Sequence, residues 1–212
     1  SAYILKIEEK TLFYKTQDTL NLPNEDEICE QYLFMCNYLE QNGYNHYEIS
    51  NFAKEGFESR HNNRYWKRGE YLGFGIGAAS FVDNMRFSNI SGVDKYEELL
   101  AEGTEMLDAG SAIWTRESEN KHSLTTECEI LTSAECMAEF FYLGLRRMEG
   151  VFFEDFKQEF KLSPIDIFGK IIDKLVGQNL LEYIKDSCGE NIGIRLTREG
   201  IFLSNRVFME FV

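Results

Sequence analysis

Apolar positions along the chain fall into two regimes, separated by a polar stretch from Ser111 to Thr132. In the first, Tyr3, Leu5 and Ile7 share one face of an alternating opening, the spacing of a short strand. Ile28, Tyr32, Met35 and Leu39 then recur at helical spacing and predict a helix from about Asn24 to Asn42. Asn24 or Asp26 can cap its first amides, acidic residues crowd the first turn, and Gly43 suits its end. Tyr44 to Ile49 reads as a strand, so helix, tight turn and strand together predict parallel α/β architecture. Residues 51–70 show no period and are expected as a long ordered loop. From Tyr71 to Ser80, Gly73, Gly75 and Gly77 alternate with larger residues. A strand built this way is bare on one face, where backbone or ligand approaches closely. A helix over 93–102 should stop at Gly103.

The second regime is helical at first. Ser133, with Cys136 three residues on, is the expected cap of a helix striped by Met137, Phe140, Phe141, Leu145 and Met148 and ending at Gly150. Short helices are expected at Phe153–Phe160 and from Ser163 to about Gly177, with Pro164 at the first position. Leu180 to Ile184 and Ile192 to Leu196 read as strands across a polar turn, and Thr197 caps a last helix through Val212. Three helices, a hairpin and a closing helix make a winged-helix-like pattern. The domain reading is therefore 1–117, a linker over 118–132, and 133–212.

Composition narrows the function classes. The 212 residues carry 22 Lys+Arg against 36 Asp+Glu, a net charge of −14 whose field repels phosphate and argues against nucleic acid. With 43% hydrophobic and 14% aromatic residues the chain can bury a core and is not disordered. The winged-helix-like part brings no basic surplus either: residues 127–212 hold 10 Lys+Arg and 15 Asp+Glu, and Lys170 and Lys174 face Asp166 and Asp173 in its second helix. No apolar run is long enough to span a bilayer, and Ser1 to Lys10 does not read as a signal peptide. The apolar start without an initiator Met suits a chain that begins inside a domain. Five cysteines, an odd number, point to a reducing cytoplasm. Cys29 and Cys36, and Cys128 and Cys136, miss the common zinc spacings, and Cys188 stands alone. His46 and His122 receive no role.

The candidate chemistry lies in His61-Asn62-Asn63-Arg64-Tyr65-Trp66-Lys67-Arg68. Within Gly56–Glu70, four basic residues against two acidic ones make a positive island in an acidic chain. Aromatic faces, guanidinium forks and an imidazole together suit a planar anion or a metal. The same residues also suit a structural loop. The alternating glycines lack the Gly-x-Gly-x-x-Gly spacing, so a dinucleotide site is not indicated, and close sheet packing explains them equally well.

Three motifs in order carry a family resemblance: Tyr47-Glu48-Ile49-Ser50-Asn51-Phe52-Ala53, then His61-Asn62-x-x-Tyr65-Trp66, then Tyr71-Leu72-Gly73-Phe74-Gly75-x-Gly77-Ala78. So do Phe140-Phe141-x-Leu143-Gly144-Leu145-Arg146 and the ending Leu196-Thr197-x-x-Gly200-x-x-x-Ser204-Asn205-x-Val207-Phe208. Together they resemble the oxygen-independent coproporphyrinogen III oxidase-like radical-SAM family, in its HemW-like heme-chaperone branch, along essentially the whole chain. The His-Asn-x-x-Tyr-Trp motif is the part characteristic of that branch.

The resemblance implies an α+β fold: the C-terminal part of a radical-SAM partial (β/α) barrel, followed by a winged-helix-like domain. It implies heme or porphyrin as ligand, with His61 on the iron and Arg64 or Arg68 on a propionate. Tyr65 or Trp66 would pack on the macrocycle, with Asn62 in the same site. Gly75, Gly77 and Ala78 would face a cofactor, on the S-adenosylmethionine side of the barrel. The family's [4Fe-4S] cluster needs Cys-x3-Cys-x2-Cys, which this sequence lacks, so cluster and S-adenosylmethionine are expected only in a longer protein, and this chain alone should be inactive. Ala79 stands where the family usually has His, which removes a second imidazole. Two alternatives to heme delivery stay open: oxidative decarboxylation of a porphyrinogen by the longer protein, and a protein-interaction module docking a heme-accepting partner.

Overall fold

The computed structural model describes residues 1–104 and 125–212. Contacts group these into two compact units, one of Ser1–Lys67 with Ala138–Val212 and one of Arg68–Met137.

The first unit begins irregularly. The expected strand at the start does not form: one backbone bond, from Ala2 N–H to the Ser50 carbonyl at 2.8 Å, is not a ladder. A short helix α1 (Leu12–Thr16) follows, capped by the Thr11 side chain, and was not legible in the sequence. The expected helix is α2 (Glu25–Gln41). Asn24, rather than Asp26, is its cap: the Asn24 side chain accepts from Glu27 N–H at 3.0 Å while the Glu27 carboxylate accepts from Asn24 N–H at 2.8 Å. This reciprocal pair satisfies two backbone donors at once.

Strand β1 (Asn45–Glu48) comes next, as expected, but it pairs antiparallel with β2 (Asn51–Ala53). Only Ile49 and Ser50 separate the two, and so short a connection permits a hairpin and no parallel crossover. Every strand pair among the described residues is antiparallel. The stretch expected as a loop contains β2 and helix α3 (Arg60–Trp66), whose cap is Ser59 accepting from Asn62 N–H at 3.1 Å. Seven residues make barely two turns, too few for an apolar period to show.

In the second unit the glycine segment is a turn instead of a strand. Gly75 and Gly77 sit at φ +97° and +63°, in the left-handed region that side chains resist, and Gly77 N–H donates to the Ile90 carbonyl at 2.9 Å. Regular pairing starts at β3 (Ala79–Val82), which runs antiparallel to β4 (Met85–Asn89) across Asp83 and Asn84, both at positive φ. That is the geometry a two-residue hairpin favours. Helix α4 (Val93–Thr104) continues through Gly103, where a stop was expected. Strand β5 (Thr125–Ile130) completes the sheet on β4 and occupies much of the expected linker, whose residues 118–124 lie outside the described residues. Its sequence, Thr-Thr-Glu-Cys-Glu-Ile, carries too little apolar alternation to read as a strand. Among the described residues of this unit, Ser80, Phe81, Phe87, Leu99 and Cys136 are buried.

Helix α5 (Ser133–Gly144) is capped by Thr132, not Ser133: Thr132 Oγ1 accepts from Glu135 N–H at 3.3 Å, and the Glu135 carboxylate accepts from Thr132 N–H at 2.7 Å. It ends at Gly144, earlier than the expected Gly150, because the chain must turn there to enter β6 (Val151–Phe152). Helices α6 (Phe153–Phe160) and α7 (Pro164–Gly177) fall where periodicity placed them, as do strands β7 (Leu181–Lys185) and β8 (Asn191–Leu196). The three strands form an antiparallel sheet in the order β6-β8-β7. Thr197 caps as expected, accepting from Gly200 N–H at 2.9 Å, but the closing helix breaks at Leu203 into α8 (Arg198–Phe202) and α9 (Ser204–Met209). The order of three helices, hairpin and closing helices is the winged-helix-like one. Its core is aromatic: Phe141, fully buried, stacks on Phe211 at 4.7 Å and meets Phe156 and Phe168 at 5.5 and 5.0 Å.

Candidate functional site

Helix α3 carries the candidate residues on two adjacent stripes, about 100° apart because successive residues are that far round a helix. One stripe is His61 and Tyr65. His61 is exposed, and its ring meets Tyr65 edge-on at 4.8 Å. Arg64, also on α3, is exposed. The other stripe, Asn62 and Trp66, faces protein. Asn62 donates its side-chain amide to Glu48 Oε1 at 3.4 Å, and the same oxygen accepts from the Asn51 side-chain amide. Glu48 is 3% exposed, so the two amides serve a carboxylate withdrawn from water.

The guanidinium of Arg146 lies over the Trp66 ring, 5.1 Å from its centre, and over the Phe208 ring, 4.9 Å from its centre. Burial pushes the Arg146 guanidinium down from its ordinary value, with the Glu48 carboxylate opposing the shift. The Trp66 indole N–H and the Arg146 Nε are buried without a hydrogen-bond partner among the described residues. Tyr47 adds a further support, its hydroxyl accepting from Ser59 N–H at 3.4 Å just before the helix.

Asn62 and Trp66 thus anchor the helix, while His61 and Arg64 are exposed and Tyr65 is half-buried. The other sequence candidates lie in the second unit. Gly75, Gly77 and Ala78 belong to the turn before β3, with Phe74 beside them 88% exposed. Arg68 is already engaged there: its Nη2 donates to Asn84 Oδ1 at 3.0 Å and its guanidinium lies 5.6 Å from the Phe81 ring. Glu48, Arg146 and Phe208 were quoted in motifs yet assigned no role. The one sequence signal for Glu48 was an acidic residue set between Tyr47 and Ile49 in a strand.

His46 is accounted for structurally. It stacks on Phe52 at 4.3 Å, and its Nε2 lies 3.1 Å from the Ile49 carbonyl and 3.3 Å from the Tyr32 hydroxyl. The cysteines do not fit an iron–sulfur cluster: no three His, Cys, Asp or Glu side chains among the described residues converge to hold a metal ion, and Cys36 and Cys136 are buried. No disulfide joins the five cysteines. Among the described residues no helix is long and apolar enough to cross a membrane.

Comparison with known proteins agrees with the motifs. Residues 131–203 match the HemN C-terminal domain family. The heme chaperone HemW of Lactococcus lactis is 35% identical over 99% of this chain and 49% of its own length, and that of Bacillus subtilis is 33% identical over 100% and 50%. The solved coproporphyrinogen III oxidase HemN of Escherichia coli, a radical SAM enzyme, shares the fold with a TM-score of 0.62 at 17% identity, over 90% of this chain and 42% of that one. The chain carries a HemN C-terminal domain, has the mixed α+β fold that its motifs implied, and resembles the heme chaperones along its whole length. It spans about half the length of the curated relatives it matches.

Proposed function

We propose that this chain is the heme-binding and delivery part of a HemW-like protein, with His61 as the iron ligand. The observation that carries the reading is an exposed imidazole on a helix whose other stripe is fastened to a buried carboxylate and a stacked guanidinium. Heme here is cargo. A neutral imidazole nitrogen supplies its lone pair to the iron. Tyr65, edge-on to His61, restrains the ring and offers an apolar surface beside the macrocycle, and the exposed Arg64 guanidinium would pair with a propionate. Asn62 and Trp66 act from behind, holding α3. Gly75, Gly77 and Ala78 remain candidates for a cofactor-facing turn.

A [4Fe-4S] cluster and S-adenosylmethionine belong, in this reading, to a longer protein that includes this chain, and no step here passes through them. A cytoplasmic setting and a heme-accepting protein partner complete the proposal. It is supported by the heme chaperones that match the whole chain, whereas the oxidase alternative has the shared fold behind it.

A hemin titration followed at the Soret band, run beside His61→Ala, tests the reading. Saturable one-to-one binding that the substitution abolishes is expected. Equal binding by both proteins, or by neither, overturns it.

A further inference from the structure

Helix α3 has too few residues to hold its shape alone, since a helix this short barely recovers its nucleation cost. Its direction is therefore set by what grips it. One grip is the Asn62 amide on Glu48. The other is Arg146, two residues beyond α5, whose guanidinium lies over both Trp66 and Phe208. The Arg146 backbone belongs to the same junction: its carbonyl accepts from Ile49 N–H at 3.0 Å, directly after β1. The segments around Ile49, Trp66 and Phe208 thus meet at one residue.

Only arginine suits this place well. A guanidinium is planar and weakly hydrated, so it rests readily on aromatic rings, while an ammonium is a compact point charge that keeps its water. The contact with Arg146 holds Trp66 in place. Trp66 is five residues from His61, so turning it turns the stripe that carries the imidazole.

We infer that Arg146 is a positioning residue for heme loading: through Trp66 it sets the angle at which His61 meets the iron, and so couples the C-terminal helices around Phe208 to the heme site. This rests on the heme-binding reading above. Its consequence is that a change in the packing of Phe208, such as an acceptor protein docking on the C-terminal helices would produce, reaches the iron ligand through two ring contacts.

The test compares the full chain with Arg146→Lys, Arg146→Met and His61→Ala in hemin titrations, with the Soret position and the electron paramagnetic resonance spectrum of each loaded protein. Loss of the guanidinium's contacts with the two rings should weaken hemin binding about 10-fold in Arg146→Lys, as expected for a desolvated cation–π contact. It should also replace the single ligand-field signature with a heterogeneous one. A merely structural role would lower the melting temperature and leave the spectrum of the bound fraction unchanged. That outcome, or wild-type affinity and spectrum in Arg146→Lys, overturns the inference while His61→Ala still loses heme. If His61→Ala binds like the wild type, the heme reading itself has failed, and the inference with it. Should Arg146→Met not fold, Arg146→Lys, which keeps charge and length, decides alone.

Discussion

Asn62 on α3 and Glu48 on β1, fourteen residues apart in the sequence, are joined by an amide-to-carboxylate hydrogen bond of 3.4 Å. The bond links two motifs that read separately in the chain, and the Asn51 amide completes the carboxylate's partners from the strand opposite. The arrangement puts a charged group in the interior and makes the helix that carries His61 depend on it.

Removing the acceptor should therefore cost stability. Glu48→Ala leaves two inward-facing amides without their acceptor, a loss of about 1–3 kcal/mol. Glu48→Gln keeps a carbonyl for one of them and should lose less. Urea unfolding followed by circular dichroism measures both, and an alanine variant as stable as wild type would show that water replaces the carboxylate at no cost.

The aromatic core of the C-terminal helices predicts a sharp contrast. Phe141 is fully buried against Phe156, Phe168 and Phe211, so Phe141→Ala should lose about 3–5 kcal/mol. Phe74, exposed on its turn, should change stability by no more than about 0.5 kcal/mol when replaced by alanine. Denaturant midpoints of the two variants compare them directly.

His46 should make the fold acid-sensitive. Burial holds its imidazole below the ordinary value, outweighing the Ile49 carbonyl and the Glu40 and Glu48 carboxylates. The unfolded chain then binds the proton more readily than the folded one. The contribution is fully present above about pH 6.5, the unfolded value, and falls as the pH drops toward the lower folded value. His46→Gln should remove this component, which is read as a smaller loss of unfolding free energy between about pH 7.5 and about pH 5 than wild type shows.

Thiol chemistry should separate the cysteines by position. Cys128 and Cys188 are exposed, whereas Cys36 and Cys136 are buried and burial raises the Cys36 thiol. A chromogenic disulfide reagent should titrate the exposed pair at once and reach the buried pair only after unfolding. Cys128→Ser and Cys188→Ser should each remove one equivalent from the fast phase.

Local rules carried the fold wherever one element's signals lie within its own residues. The stripe Ile28, Tyr32, Met35 and Leu39 with Asn24 before it located α2, and Pro164 opened α7 where it stood. Capping side chains act over three or four residues, so they are read along the chain. Elements whose stability comes from a neighbour were less visible. Helix α3 is too short for a period, β5 is nearly all polar, and the opening Tyr3-to-Ile7 alternation makes no ladder. The glycines at 75 and 77 look the same in sequence whether they bare a strand face or close a turn, and only the positive φ values chose the turn.

The candidate site divides the same way. Residue types and their order carried the family resemblance, and they marked His61, Arg64, Tyr65 and Trp66 as the chemistry-bearing stretch, because motif spacing is a property of the chain itself. Which of these face outward was settled by tertiary structure. Asn62 and Trp66 were read as ligand contacts, yet they turn inward to Glu48 and Arg146, while His61 is left exposed. Their partners come from β1 and from the turn after α5. A buried carboxylate and a stacked guanidinium acquire their roles only when distant segments bring them an amide and two rings. Burial and pairing are relations between segments, and no single stretch of sequence contains them.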